Sequence, residues 1–196
     1  VERDEVFDTI HKSVFDWIGQ GHIQGLRIDH VDGLLDPERY LTLLQDRFHS
    51  AQPESKAPLY VTVEKILSGA EPLQTQWSVS GTTGYEFMAR VNGLFVNSDN
   101  EEPFMLVYRK FSGQNENFPD IVSGTKKMIM IFAMASELRM LASFLDRISE
   151  QHRWSRDFTH ESQRFALREV VANFPVYRSY IREENARLSA SDQRAI

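Results

Sequence analysis

The strongest constraint on the fold is a pair of short apolar stretches on either side of one amphipathic helix. The first, Leu26–Ile28, is too short for a helix, and the second, Leu59–Val63, is rich in β-branched and aromatic residues. Both are therefore predicted as buried strands. Between them, Asp36-Pro37 is a strong helix start, with Asp as the N-cap and Pro in the first turn. This strand–helix–strand order with short connections is typical of a parallel α/β fold.

The rest of the chain is predicted to be mainly helical. Apolar residues at helical spacing indicate a helix before the first strand, over residues 6–18. The stretch Gly81–Gly84 is predicted as a tight turn, and no strand is predicted after Glu64. The later patterns predict helices near Tyr85–Asn97, Pro103–Phe111, Asp120–Gln151 and Thr159–Asn173, then a broken segment after Pro175. We therefore expect an α/β segment over residues 1–84 and a mainly helical subdomain over residues 85–196.

Composition and charge narrow the classes of partner. The 196-residue chain has a formal net charge of −6, which argues against nucleic acid because phosphate neutralisation needs a basic surface. No apolar run approaches the roughly 20 residues of a membrane-spanning helix, so no membrane partner is expected. The absence of cysteine excludes disulfides and thiolate metal sites and fits a cytoplasmic location. The six histidines lack metal-site spacing, so neither a metal nor another cofactor is expected.

Two carboxylates, Asp29 and Glu64, directly follow the two predicted strands. In parallel α/β folds catalytic side chains lie at the C-terminal ends of strands. Adjacent strands are about 4.8 Å apart, so the pair can approach the roughly 5–5.5 Å carboxyl separation of a retaining glycosidase. Arg27 is predicted on the same strand face as Asp29, where a guanidinium would keep the nucleophile ionised. Lys65 and His30 are candidates for hydrogen bonds to sugar hydroxyls.

These residue types alone leave the interpretation open. A lone Asp at a strand end is commonly a turn residue or a helix N-cap. Val63-Glu64-Lys65, taken by itself, has the pattern of an ordinary exposed strand end. Spacing and chemistry therefore reach only an α/β protein for which enzymatic activity is one alternative.

The sequence around both carboxylates also resembles a known family. Gly25–His30 resembles the nucleophile strand of the α-amylase superfamily, glycoside hydrolase family 13, and Val61–Lys65 resembles its acid/base strand. The combination is similar to one branch, the maltooligosyl trehalose synthases. The blocks that carry this resemblance are Arg27–Leu34, Asp36-Pro37, Val63–Leu67, Trp77, Gly81–Tyr85, Gly93–Val96 and Phe174–Arg178. It implies a mixed α and β, predominantly helical fold: a partial (β/α)8-barrel segment of about two parallel strands, then a helical insertion region.

For the site, the resemblance implies that Asp29 is the nucleophile and Glu64 the general acid/base, with Arg27 and His30 supporting the nucleophile. The implied reaction converts the reducing-end α-1,4 linkage of a maltooligosaccharide, the expected partner, to α-1,1 by intramolecular transglucosylation. The leaving glucose must then be retained and shielded from water. The stretch from Trp77 to Tyr85 is a candidate wall for that pocket and a source of substrate contacts, although a Trp there is also a common core residue.

The sequence departs from the family pattern at two points. The third catalytic carboxylate, an Asp preceded by His, has no match, and neither has the Asn-His block before the nucleophile strand. We therefore expect an internal piece of a longer enzyme that is inactive alone, and its uncovered apolar surface makes self-association a hypothesis. Two alternatives stay open: another α-amylase-like hydrolase or glucanotransferase, and a non-catalytic α-glucan-binding module.

Overall fold

The computed structural model describes residues 1–69, 71–181 and 192–193. They form two compact units, one of residues 1–97 with 178–181, and the other of residues 98–177. The helices are α1 Asp4–Gly19, α2 Pro37–Ala51, α3 Tyr85–Gly93, α4 Glu101–Ser112, α5 Phe118–Phe132, α6 Ala135–Ser149 and α7 His160–Asn173. The strands are β1 Gly25–Ile28, β2 Tyr60–Val63 and β3 Gly81–Thr82, and short 3-10 turns span Val31–Gly33 and Ser98–Asn100. The predicted fold class is confirmed, while the predicted domain division after Gly84 stays a prediction.

The described part of the first unit contains one parallel sheet in the order β1-β2-β3. Ile28 is in register with Val63, and Val63 with Thr82. Helix α2 forms the crossover between β1 and β2, as the strand–helix–strand pattern predicts. The prediction of a turn alone at Gly81–Gly84 was wrong, because its first two residues pair with β2 as a short third strand. Two residues carry no alternation, so periodicity could not identify it.

Helices α1 and α2 cover the sheet because each presents one apolar stripe. Buried side chains from both helices and from β2 form a single core, and its fully buried members include Phe7, Ile18, Leu41, Leu44, Val61 and Val63. At the start of α2 the Asp36 side chain accepts a hydrogen bond from the Arg39 amide at 2.9 Å, with Pro37 in the first turn. This is the N-cap geometry that satisfies a free helix amide, so the predicted helix start is confirmed.

One side chain of α2 fixes where β2 begins. The Gln45 amide accepts from the Leu59 amide at 2.9 Å and donates to the Leu59 carbonyl at 3.1 Å. The same nitrogen donates to the Ser78 carbonyl at 3.0 Å, just before β3. Backbone groups outside the strand ladder need partners when water is excluded, and Gln45 supplies them for two strands at once.

The second unit corrects the prediction of one long helix over Asp120–Gln151. The structure has two helices, α5 and α6, bent by 87° at a break around residues 133 and 134. At the break, the amides of Ala133 and Met134 both donate to the Ile129 carbonyl, at 2.8 and 3.2 Å. The bend allows both helices to pack with α7, where Met130, Leu138 and Ala172 are buried together. Tertiary packing therefore overrides a continuous helical pattern.

The remaining predicted helices exist with shifted ends. Helix α7 starts after Thr159, whose hydroxyl accepts a hydrogen bond from the Ser162 amide and caps the helix. Helix α3 ends at Gly93, four residues before its predicted end at Asn97. No single helix in residues 1–69, 71–181 and 192–193 is long and apolar enough to cross a membrane, and α5 with α6 reach that limit only as a bent pair.

The close approach of β1 and β2 at Gly25 gives a testable prediction. A Cβ atom at Gly25 would lie 2.8 Å from the Tyr60 carbonyl oxygen, whereas one at Gly19 would meet nothing within 4 Å. We expect Gly25→Ala to lower the free energy of unfolding by about 1–3 kcal/mol, because backbone must shift, and Gly19→Ala to leave it unchanged or slightly raised. Urea unfolding followed by circular dichroism measures both, and equal midpoints would contradict the expectation.

Candidate active site

Asp29 and Glu64 follow the last residues of two paired strands. Because β1 and β2 are parallel with Ile28 opposite Val63, both carboxylates leave the sheet at the same edge. The Glu64 amide still donates to the Ile28 carbonyl, at 2.8 Å. The hydrogen bonding between the strands therefore extends to Glu64, so the backbone of this residue is held in place.

One guanidinium lies beside both carboxylates. Arg27 Nη2 is 3.0 Å from Asp29 Oδ1 and 3.8 Å from Glu64 Oε1. These two oxygens are thus no farther apart than the sum of those distances, which accommodates the roughly 5–5.5 Å separation in retaining glycosidases. The Asp29 side chain is 74% exposed and that of Glu64 only 22%. Exposed ion pairs add little stability, so the value of Arg27 here is orientation.

His30 contributes its backbone to this cluster. Its amide donates to Glu64 Oε2 at 3.1 Å. The residue has φ 46° and ψ 48°, in the left-handed region, where a residue with a Cβ is uncommon. Its ring lies against Gly33, where an added Cβ would come within 2.7 Å of His30 Cδ2. A left-handed residue directly after Asp29 turns the chain so that its N–H points at Glu64.

Tyr85 reaches the same carboxylate from the start of α3. Its hydroxyl donates to Glu64 Oε1 at 3.3 Å. The preceding Gly84 has φ 91°, which lets the chain turn from β3 into α3 within two residues. Thr82 also stabilises this turn, because its hydroxyl donates to the Glu86 carboxylate and lowers the pKa of that group. With the His30 amide on Oε2 and the Tyr85 hydroxyl on Oε1, both oxygens of Glu64 accept a hydrogen bond.

The structure places Lys65 away from this cluster. Its side chain is 1% exposed, and its ammonium lies 3.0 Å from Asp32 Oδ2 and 2.9 Å from Glu71 Oε1. Successive strand residues point to opposite faces, so Lys65 shares the buried face of Val63 while Glu64 points the other way. The Lys65 ammonium is thus buried between two carboxylates and lies apart from the Asp29–Glu64 pair.

Trp77 lies in the core of the first unit rather than in a pocket wall. Its side chain is 5% exposed, and its ring meets the Tyr180 ring edge-on, with centroids 5.2 Å apart at 83°. Trp77 is thus placed as a core residue, which was the alternative to a place in the pocket wall. Of the predicted substrate contacts, Arg27, His30 and Tyr85 lie beside the carboxylate pair, and Lys65 and Trp77 do not.

Comparison with known proteins relates the chain to one group of enzymes. No family model matches the chain. A protein of Mycobacterium tuberculosis provisionally named maltooligosyl trehalose synthase is 32% identical over 140 residues, which is 71% of this chain. The structure of maltooligosyltrehalose synthase from Arthrobacter ramosus superposes with a TM-score of 0.74 and 32% identity over 92% of this chain.

This chain matches a segment of the maltooligosyl trehalose synthases. A hypothetical synthase of Sulfolobus tokodaii agrees, with a TM-score of 0.68 and 28% identity over 95% of the chain. The match spans 17% of the length of the Mycobacterium relative, 21% of the Arthrobacter structure and 22% of the Sulfolobus structure. The activity of the whole synthases is therefore carried to this chain only as a proposal.

Four residues in the contacts around Lys65 and the loop after β1 were missed as functional candidates by sequence reasoning. They are Asp32, Glu71, Arg178 and Tyr180. Arg178 and Tyr180 lie more than 140 residues from their partners in the loop, so no local pattern predicts these contacts. The alternation Val61, Val63, Lys65 was the one available signal, because it places a cation on the buried face and thus requires carboxylate partners.

The described residues contain no group of three or more His, Asp or Glu side chains that could hold a metal ion. The two carboxylate clusters, around Arg27 and around Lys65, each contain a cation of the chain itself. The side chains that meet beside Arg27 are the Asp29 and Glu64 carboxylates and the Tyr85 hydroxyl.

The buried position of Lys65 gives a second prediction. We expect Lys65→Met to lower the free energy of unfolding by roughly 3–5 kcal/mol, because Asp32 and Glu71 would face each other without a counter-ion. Lys12→Met is the matched control, since Lys12 pairs with Asp16 where both are exposed, and should change stability by at most about 0.5 kcal/mol. Urea unfolding measures both, and similar small losses would refute the structural role of Lys65.

Proposed function

We propose that the protein carrying this segment converts maltooligosaccharides to maltooligosyl trehalose, with Asp29 as nucleophile and Glu64 as general acid/base. The observation that supports this most directly is the shared guanidinium of Arg27, 3.0 Å from Asp29 and 3.8 Å from Glu64. The ion pair with Arg27 orients the Asp29 carboxylate beside Glu64. The similarity to the synthases supports the assignment independently. A cytoplasmic location is part of the proposal.

The reaction needs each carboxylate twice. Asp29 attacks the anomeric carbon of the sugar next to the reducing end, while Glu64 gives its proton to the O4 oxygen of the leaving glucose. The leaving glucose then presents its own 1-hydroxyl, Glu64 removes that proton, and the oxygen displaces Asp29 from the anomeric carbon. Two inversions retain the α configuration. One α-1,4 bond is replaced by one α-1,1 bond, and no water is consumed.

The contacts of Glu64 suit an acid/base. Hydrogen bonds from the His30 amide and the Tyr85 hydroxyl reach different oxygens of this carboxylate, at 3.1 and 3.3 Å. A carboxylate held at both oxygens keeps one orientation, which proton transfer in a fixed geometry requires. Arg27, His30 and Tyr85 are proposed to contact the sugar beside it. A third carboxylate would have to come from outside this segment.

Two other functions compete with this one. An α-amylase-like hydrolase or glucanotransferase would use the same carboxylate pair, and a non-catalytic α-glucan-binding module would use neither residue chemically. The relatives named above carry the name of the synthase and favour neither alternative. Self-association of the isolated chain also stays a prediction, to be tested by size-exclusion chromatography over a range of concentrations.

The products formed from maltopentaose by the complete protein distinguish these functions. A synthase removes reducing ends without first releasing glucose, a hydrolase raises the number of reducing ends, and a binding module does neither. Asp29→Asn and Glu64→Gln should each lower kcat/KM by roughly 100- to 10,000-fold. Asp16→Asn, at an exposed helix position, is the control and should leave activity unchanged.

A substrate that carries its own leaving group separates the two roles. With an α-maltosyl fluoride, departure of fluoride needs no protonation, so Glu64→Gln should still form the glycosyl-enzyme while Asp29→Asn should not. Fluoride release is the measurement. Equal loss of fluoride release in both variants would contradict the assignment of Glu64 as the acid.

A further inference from the structure

A segment far along the chain contacts the loop that follows the proposed nucleophile. Arg178 Nη1 donates to the carbonyl oxygens of Asp32, at 2.8 Å, and of Leu34. Its Nη2 lies 3.4 Å from the Leu35 carbonyl. One planar guanidinium thus lies within reach of three backbone carbonyls of one loop. The fixed fork of an Arg suits this arrangement, and a single Lys ammonium does not.

Tyr180 contacts the same loop through a side chain. Its hydroxyl donates to Asp32 Oδ1, and its ring packs edge-on against the buried Trp77. Burial raises the pKa of the Tyr180 hydroxyl well above its usual value, and its hydrogen bond to Asp32 acts in the same direction. The hydroxyl therefore stays protonated and remains a donor throughout the neutral range. The Arg178 guanidinium lies 4.8 Å from the centre of the Tyr180 ring, so the two side chains support each other.

Asp32 also contacts the segment that directly follows β2. Its other oxygen lies 3.0 Å from the Lys65 ammonium, and Lys65 directly follows Glu64 in the chain. Asp32 is itself only three residues beyond Asp29. The side chains of Asp32 and Lys65 are 9% and 1% exposed, where a hydrogen bond or ion pair restricts geometry more strongly than at the surface.

We propose that Arg178 and Tyr180 are positioning residues that hold Asp29 and Glu64 in register by fixing the loop His30–Leu35 and, through Asp32, Lys65. This inference rests on the proposed function for its catalytic meaning, since neither residue contacts the carboxylate pair itself. Without them the loop keeps its own hydrogen bonds, from the Gly33 amide to His30 and from the Leu34 amide to Val31, together with the hydrogen bond of the Leu35 amide to Glu2 and the ion pair of Asp32 with Lys65. The His30 amide, which donates to Glu64, lies at the start of this loop.

Hydrogen exchange tests the structural half of the proposal in the complete protein. Tyr180→Phe and Arg178→Lys should speed exchange of the Gly33 and Leu34 amides by about 5- to 10-fold, the effect of losing one hydrogen bond. Exchange within α1 should stay unchanged, which shows that the fold is intact. Tyr177→Phe, at an exposed neighbouring position, and Arg153→Lys, beside Trp154, are the matched controls. Unchanged loop exchange in both variants would overturn the proposal.

Kinetics with maltopentaose test the catalytic half. At a temperature where circular dichroism shows fully folded protein, both variants should lower kcat by about 10- to 100-fold, because displaced reacting groups lose near-attack geometry. KM should stay within about twofold, since neither residue contacts the sugar. Faster loop exchange with unchanged kcat would overturn the positioning role. A wild-type protein that forms no α-1,1 product would instead overturn the proposed function, while the exchange experiment would still decide whether Arg178 and Tyr180 hold the loop.

Discussion

The parallel pairing of β1 with β2 is the interaction on which the site depends. With Ile28 opposite Val63, the two strands end together, and the Glu64 amide adds one more hydrogen bond to the Ile28 carbonyl. A slip of one residue would turn every side chain of a strand to the other face. Glu64 would then enter the core and Lys65 would face the carboxylate Asp29. Helix α2 opposes such a slip through Gln45, whose side-chain oxygen and nitrogen both hydrogen-bond the Leu59 backbone just before β2.

That register also explains why two ion clusters lie on opposite sides of one strand end. Along β2 the buried face continues from Val63 to Lys65, and the open face carries Glu64. A buried cation is tolerated only with carboxylate partners, and Asp32 and Glu71 meet this requirement on the closed side. On the open side the pairing of Arg27 with Asp29 is exposed, so it orients more than it stabilises. The buried cluster around Lys65 therefore restricts the backbone that carries Asp29 and Glu64, the carboxylates beside Arg27.

Sequence reasoning predicted the elements whose determinants are local. The α2 start at Asp36 and the β1 and β2 strands follow from residues within a few positions of each other. It missed β3, which is too short to show a period, and the bend between α5 and α6, where packing on α7 interrupts a continuous apolar pattern. Of the predicted substrate contacts, Arg27, His30 and Tyr85 lie beside the carboxylates, whereas strand alternation turns Lys65 to the buried face. The contacts of Arg178 and Tyr180 depend on chain folding over more than 140 residues.

The left-handed backbone at His30 has a consequence for how this position can vary during evolution. Its contact with Glu64 is made by the main chain, so any amino acid retains the donor as long as it accepts the same φ and ψ. Asn, Asp and Gly visit that region readily, whereas Val, Ile and Thr do so only with strain. A substitution at position 30 must therefore first tolerate the left-handed backbone conformation, and only then does the loss of the imidazole ring matter. Drift toward Asn or Gly would conserve the backbone contact with Glu64 while replacing the imidazole ring beside it.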